Sequence, residues 1–302
     1  MPSKTKHLAE NALMLGIALI LLFLSTYTIL GIVTVLLLPL PFLLLGLNRN
    51  ASTMVWISLA FTVLGSVIAG LVSAVIAFMA AFTGSVMGIV YTKKGKALAA
   101  IAAGAAVVFL GYMLMLATMT FGMNVSFEEL MKQAASYRPE FMPKEQYDQV
   151  MDMVKLVMPA FFVISSFMQS AITHVLARLI GKRLRRPVPA LPPIREWNFP
   201  RSLLYYYFFT MFAMLLFQDS IQGTFWESAV YNLKTILDLV FVLQGLSFCL
   251  FAADLYGWKR LTPVLIVSLF IFPFLTTILS LIGIFDMGIR LRDKLETRVK
   301  RG

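Results

Sequence analysis

The sequence predicts an all-α fold: a polytopic transmembrane helical bundle with eight or nine membrane segments. Three observations predict it. Apolar runs long enough to span a ~30 Å hydrocarbon core as helices recur along the chain. Hydrophobic residues make up 59% of the 302 positions and charged residues only 14%, too few to coat a water-soluble domain of this length. The basic residues gather where apolar runs end, at Lys4/Lys6, Lys93/Lys94/Lys96, Arg178–Arg186 and Arg290–Arg301. That placement makes the net charge of +11 a set of membrane anchors beside anionic lipid and argues against nucleic-acid binding.

Taken in order, the segments run approximately Asn11–Tyr27, Leu30–Gly46, Thr53–Ile68, Leu71–Tyr91, Leu98–Thr120, Val154–Leu176, Ser202–Phe217, Leu233–Ala253 and Leu261–Phe285. The first is a retained span: apolar sequence continues to Gly46 with no clean small-x-small cleavage site. The first two are short, split by Ser25-Thr26-Tyr27-Thr28 and Gly31. Pro39 and Pro41 remove backbone donors near the end of the second, which therefore bends or stops there.

The positive-inside rule orients the chain. With Lys4 and Lys6 cytoplasmic, segments two, four and six return to Arg49, to Lys93-Lys94-Lys96 and to Arg178–Arg186. The fifth exits to an external loop, 121–152, where Glu128, Glu129, Glu140, Glu145, Asp148 and Asp152 face only Lys132, Arg138 and Lys144. Residues 1–186 thus form a six-span core with both ends cytoplasmic. Three more crossings would leave the basic tail, 286–302, outside, so one segment within 202–285 fails to cross if both termini are inside. Ser202–Phe217 is the shortest, and its run Tyr205–Phe209 suits an interfacial or re-entrant position.

Two connections stand out. The 121–152 loop carries amphipathic turns at Phe127–Ala135 and Glu145–Val154, divided by Pro139 and Pro143. Ser126 before Glu128 and Glu129 is a helix start, because carboxylates favour the positive end of the helix dipole. The loop is either a solvated cap or a lid. The stretch 187–201 is proline-rich, and its prolines enforce a stiff, extended connector. Trp197 and Arg201 within it suit a membrane–water interface.

The segment Leu38–Gly46, followed by Asn50 and a helix bearing Gly65 and Gly70, resembles a pattern of the YybS-like family of uncharacterised bacterial membrane proteins. Pro192-Pro193-x-x-Glu196-Trp197-x-x-Pro200-Arg201, the pair Gln244-Gly245, and Gly283-x-x-Asp286 resemble that family too. The six-segment core is also similar to the S components of energy-coupling-factor transporters. That second resemblance implies six helices, both ends inside, and capture of a small molecule from the outer face.

Ionisable and polar groups inside hydrocarbon are the candidates for function. Asp238 lies one helical turn after Lys234, so it is either half of an i,i+4 packing pair or a substrate contact. Ser166, Gln169, Ser170 and Thr173 share one broad face of the sixth segment. Interhelical hydrogen bonds and a ligand wall are the two roles open to them. His174 ends that strip beside Arg178, in reach of lipid headgroups. Gln244 beside Gly245 allows a close helix contact with one amide bond, or a ligand contact.

No P-loop, G-x-S-x-G, H-E-x-x-H or glycine-rich dinucleotide turn occurs, so no enzyme is expected. Cys249 is the only cysteine, excluding an intrachain disulfide, and His7 and His174 cannot make a multi-histidine metal site. No cofactor is expected. The functional expectation is a solute-binding membrane subunit or permease for a small molecule. Its partners would be the bilayer, the substrate, and an ATPase or coupling module or another membrane protein. The alternative is a non-catalytic scaffold or regulator acting through its basic cytoplasmic surfaces.

Overall fold

The computed structural model describes residues 4–186, 188–258 and 260–301; Pro187, which opens the expected connector, lies outside them. The helices are α1 (Lys4–Tyr27), α2 (Gly31–Leu37), α3 (Leu40–Gly46), α4 (Ala51–Lys94), α5 (Ala97–Ala117), α6 (Phe127–Ser136), α7 (Lys144–Arg183), α8 (Ser202–Leu216), α9 (Gln218–Ile221), α10 (Phe225–Leu255), α11 (Leu261–Ile271), α12 (Phe274–Ile289) and α13 (Leu291–Arg301). No strand occurs among the described residues. Among the described residues, six helical stretches are long and apolar enough to cross a membrane, or seven if α11 and α12 count as one. Two shorter apolar helices, Val33–Gly46 and Ser202–Leu216, complete the nine segments. The chain divides into two compact units, Met1–Met151 with Phe161–Leu191, and Asp152–Ala160 with Pro192–Gly302.

In the first unit, α1 is longer than its apolar run suggests. It begins at Lys4, before the expected Asn11; at its other end Ser25 and Thr26 donate their hydroxyls back to the Leu22 carbonyl and stay on the helix, while Thr28 just past it donates to the Leu24 carbonyl. The second segment breaks at Leu38-Pro39 into α2 and α3, and every residue of α3 is buried. Helix α4 is a hairpin. Gly70 takes φ 78°, a conformation open to glycine, and the chain reverses there. Ser58 and Ser85 Oγ consequently meet at 3.0 Å across the two arms, 51–68 and 70–94. The second arm carries Gly84 and Gly88 against the α3 backbone, where a Cβ would overlap the carbonyls of Pro39 and Leu43.

Glu10 near the start of α1 pairs with Arg49, which follows α3, at 2.8 Å, and with Arg186, which follows α7. At the far end of α1, Tyr27 OH donates to the Ile68 carbonyl just before the α4 turn. The passes of this unit (α1, α2–α3, two arms of α4, α5 and the later part of α7) thus begin and finish at one end. Beyond α5, five residues of π-helix (Thr118–Gly122) lead to α6. Ser126 and Glu129 close a capping box on α6. The Ser126 backbone N–H, and then its hydroxyl, hold the Glu129 carboxyl below its ordinary range.

Glu145–Val154 is not a separate turn. It is the first part of α7, a 40-residue helix that carries Pro159 in its interior. Proline there removes a helical donor and crowds the preceding turn. Asn232 of α10 meets the backbone beside it: its Oδ1 accepts from Ala160 N at 2.6 Å, and its Nδ2 donates to the Leu156 carbonyl at 2.8 Å. One side-chain amide thereby gives a partner to a donor and an acceptor of the turn that holds the proline. Asn232→Leu is expected to destabilise the protein by about 1–3 kcal/mol, because the Ala160 N–H then lies unpaired while the Leu156 carbonyl keeps only Ser228 Oγ, at 3.3 Å. Thermal unfolding in detergent measures it; a shift of under one degree would mean that Ala160 N is satisfied some other way.

The second unit is built on α10 and α12, which run antiparallel. Gly245 and Gly283 face each other, and a Cβ on either would overlap the backbone carbonyl of Leu279 or Phe241. The ninth segment is not one helix. It breaks at Phe272-Pro273, where α11 and α12 meet at a 120° bend. The residue before a proline is driven out of the α region, and Phe272 has φ −122° and ψ 86°. Helix α12 then continues past the expected Phe285 limit to Ile289, taking Asp286 into the helix. The proline-rich stretch is more than a connector: a 3-10 turn at Ile194–Glu196 packs on α10, with Trp197 Nε1 donating to the Pro192 carbonyl at 2.9 Å.

Candidate functional site

In the first unit, two members of the polar strip of α7 reach a neighbouring helix and two bond within α7. Ser170, fully buried, donates to the Ile101 carbonyl of α5 at 2.8 Å, close against Gly104. Gln169 Oε1 accepts from Tyr112 OH at 3.1 Å. Ser166 and Thr173 are buried and bond back to the carbonyls of Val163 and Gln169 on their own helix. His174 is 1% exposed, with Nδ1 at 2.6 Å from Tyr91 OH. It therefore faces the interior of the bundle and not the headgroups, with Nδ1 partnered by the Tyr91 hydroxyl and Nε2 buried without a partner among the described residues.

The remaining two candidates lie on α10 in the second unit. Lys234 Nζ donates to Asp238 Oδ2 at 2.6 Å, the i,i+4 pair that their spacing suggests, and it also stands 5.8 Å from the Tyr207 ring centroid. Both members of the pair are partly exposed.

Gln244 occupies a different setting. It is fully buried, and its Nε2 donates to Asp286 Oδ2 at 2.6 Å while its Oε1 accepts from Phe199 N at 3.0 Å. Asp286 is 5% exposed and accepts from Arg292 Nε at 3.0 Å. Arg292 reaches it because Arg290 adopts a left-handed conformation, φ 53°, which turns α13 back after α12. The same guanidinium donates to the Arg195 carbonyl at 3.1 Å and to Ser247 Oγ at 2.9 Å. Ser247 in turn lies 2.5 Å and 2.7 Å from the carbonyls of Ile194 and Trp197. Arg195 closes the group through Asp254, at 2.8 Å.

A buried carboxylate, a buried amide and a guanidinium therefore meet under the 194–199 strap. The glycine pair allows it: without side chains at 245 and 283, α10 and α12 come close enough for Gln244 to touch Asp286. Among the described residues, no group of His, Cys, Asp and Glu could hold a metal ion.

Asp286, Arg292, Ser247 and Asn232 were not among the site candidates that sequence alone indicated. Asp286 had a visible signal, as the lone carboxylate abutting the apolar run that ends at Phe285. Arg292 had none, being one basic residue in a basic tail.

Three of the motifs that carried the family resemblance converge here, while Leu38–Gly46, Asn50, Gly65 and Gly70 belong to the first unit. Pro192–Pro200, Gln244-Gly245 and Gly283-x-x-Asp286 are scattered in sequence and form one locus in the second unit. The chain is 23% identical to the "Uncharacterized protein YybS" of Bacillus subtilis (strain 168), over 97% of its own length and 99% of that protein. No solved structure matches it. A family model described as "Predicted membrane protein (DUF2232)" matches residues 15–287, nearly the whole chain, and the protein belongs to that family of membrane proteins.

Proposed function

We propose that this protein is a solute-binding membrane subunit or permease for a small molecule. One observation carries the reading: the Asp286 carboxylate, buried on a membrane helix that follows a 120° break and held by Gln244 and Arg292. Ionisable groups at membrane depth are costly and cluster on solute and ion pathways. Discontinuous helices are the usual frame for such sites in transporters. Arg292 sits on the next helix, across the left-handed Arg290, so it is the exchangeable partner. A solute's cationic group, or a proton, takes its place on Asp286.

The end of the first unit that bears Arg49 and Arg186 is cytoplasmic in this reading, by the positive-inside rule. With no nucleotide-binding motif in the chain, the energy comes from an ion gradient or from a separate ATPase module. The α7 strip is the second possible wall, and Gln169, only half-buried, is its accessible member.

Native mass spectrometry of protein purified gently from its host's membranes tests this. The expected result is a discrete non-lipid mass shift, retained in Gln169→Ala and lost in Asp286→Asn that still unfolds cooperatively. Loss in Gln169→Ala alone would move the pocket to α7. Protein that carries only lipid and a stoichiometric protein partner would overturn the solute-binding reading and favour a scaffold.

A further inference from the structure

Five cationic side chains line one concavity of about 950 Å³ in the first unit, at the end of α7. They are Arg178, Lys182, Arg183, Arg185 and Arg186. Arg186 is committed to Glu10 and to the Leu44 carbonyl. The other four are exposed and have no ion-pair or hydrogen-bond partner among the described residues.

Helix-dipole complementarity accounts for Lys182 and Arg183 in the last turn of α7. It does not account for Arg178, a turn earlier, or for Arg185, beyond the helix end. The concavity has its own cause. Arg185 adopts a left-handed conformation, φ 54°, and Arg186 N donates to the Gly181 carbonyl at 2.8 Å, folding the chain back over the helix. Gly181 forms the floor, where a side chain would collide with the returning backbone.

The chemistry of the walls is graded. Val175 and Leu179 are exposed apolar residues, 53% and 62%. They stand on the same face of α7 as Arg178 and Lys182, at spacings of three and four residues. Moving along the groove from span towards chain end, the lining changes from aliphatic to cationic. That is the profile of one lipid molecule, with acyl chain and glycerol below and phosphate above. Inorganic phosphate would use neither the volume nor the aliphatic part.

We infer that the groove formed by Val175, Arg178, Leu179, Lys182, Gly181 and Arg185 is a binding site for one anionic phospholipid headgroup. Arg183 stands beside them, and the four uncompensated cations suit a headgroup with more than one negative charge over a single phosphodiester. The inference stands apart from the solute-binding reading, since it uses residues of the other unit and no part of the Asp286 site.

The test uses the full chain, delipidated in mild detergent and titrated with short-chain phosphatidylglycerol, cardiolipin or phosphatidylcholine under native mass spectrometry. Tight one-to-one retention of the anionic lipids is expected, with phosphatidylcholine at least tenfold weaker. Arg178→Gln/Lys182→Gln/Arg185→Gln should lose that preference by at least tenfold. A matched control, Lys93→Gln/Lys94→Gln/Lys96→Gln, should keep it. All three replaced side chains of the first variant are exposed, so an unchanged unfolding temperature accompanies the expected result. Equal retention by the groove variant, or equal loss in the control, would overturn the site. Displacement of the lipid by millimolar inorganic phosphate would also overturn it, assigning the groove to a free anion.

Discussion

Replacing Asp286 with alanine should destabilise the protein by about 3–5 kcal/mol, the range for removing one partner of a buried ion pair. The size follows from what remains. Arg292 keeps a side chain only 14% exposed and loses its counter-charge, while the Gln244 amide loses its short bond and keeps only Asn198 Oδ1 at 3.4 Å. Cys249 makes the measurement direct. It is the single thiol in the chain and lies on α10 among the apolar residues packed at Leu246 and Leu250. Its labelling by a thiol-reactive dye during a thermal ramp reports opening of the second unit. The labelling midpoint should fall sharply in Asp286→Ala and recover in part in Asp286→Ala/Arg292→Met, since the second change removes the stranded charge. Wild-type behaviour of the single variant would show that the pair contributes nothing to the fold.

The second large effect is steric. Gly283→Val should disrupt α10–α12 packing, and even Gly283→Ala should lower the labelling midpoint of Cys249, because the added Cβ overlaps the Phe241 carbonyl on the facing helix. Helix backbones cannot yield to such an overlap without moving apart, and separation also withdraws Gln244 from Asp286. We expect a loss of roughly 1–3 kcal/mol for alanine, on the scale of an overpacked interior. Gly288 supplies the contrast within the same helix. Nothing lies within 4 Å of a Cβ built there, so Gly288→Ala should be neutral or stabilising by up to about 1 kcal/mol. Equal effects at both positions would mean that helix propensity, and not the close approach, governs the result.

What the sequence disclosed, it disclosed through local chemistry. The turn between the third and fourth segments follows from polar and glycine residues at positions 66–70, and the break in the second from Pro39. Lys234 and Asp238 were legible as a pair because their four-residue spacing is a property of one helix. Gln244 was legible as a polar residue beside a glycine, but its partner was not, since Asp286 lies forty-two residues away on another helix. Hydropathy also misplaced two boundaries. Asp286 and the residues around Lys155 read as segment ends, yet α12 and α7 run through them. A charge terminates an apolar run on paper, whereas in the fold Arg292 neutralises Asp286 and the helix continues.

The Asn232 clamp on Pro159 also bears on how the molecule can be taken apart. Cutting at the proline-rich stretch would seem to free an N-terminal half for expression by itself. Such a fragment would keep Pro159 and lose the Asn232 amide, leaving the Ala160 N–H without its partner inside its last membrane helix. The two halves supplied as separate polypeptides in one cell should instead reassemble, with Asn232 of the second restoring the helix of the first.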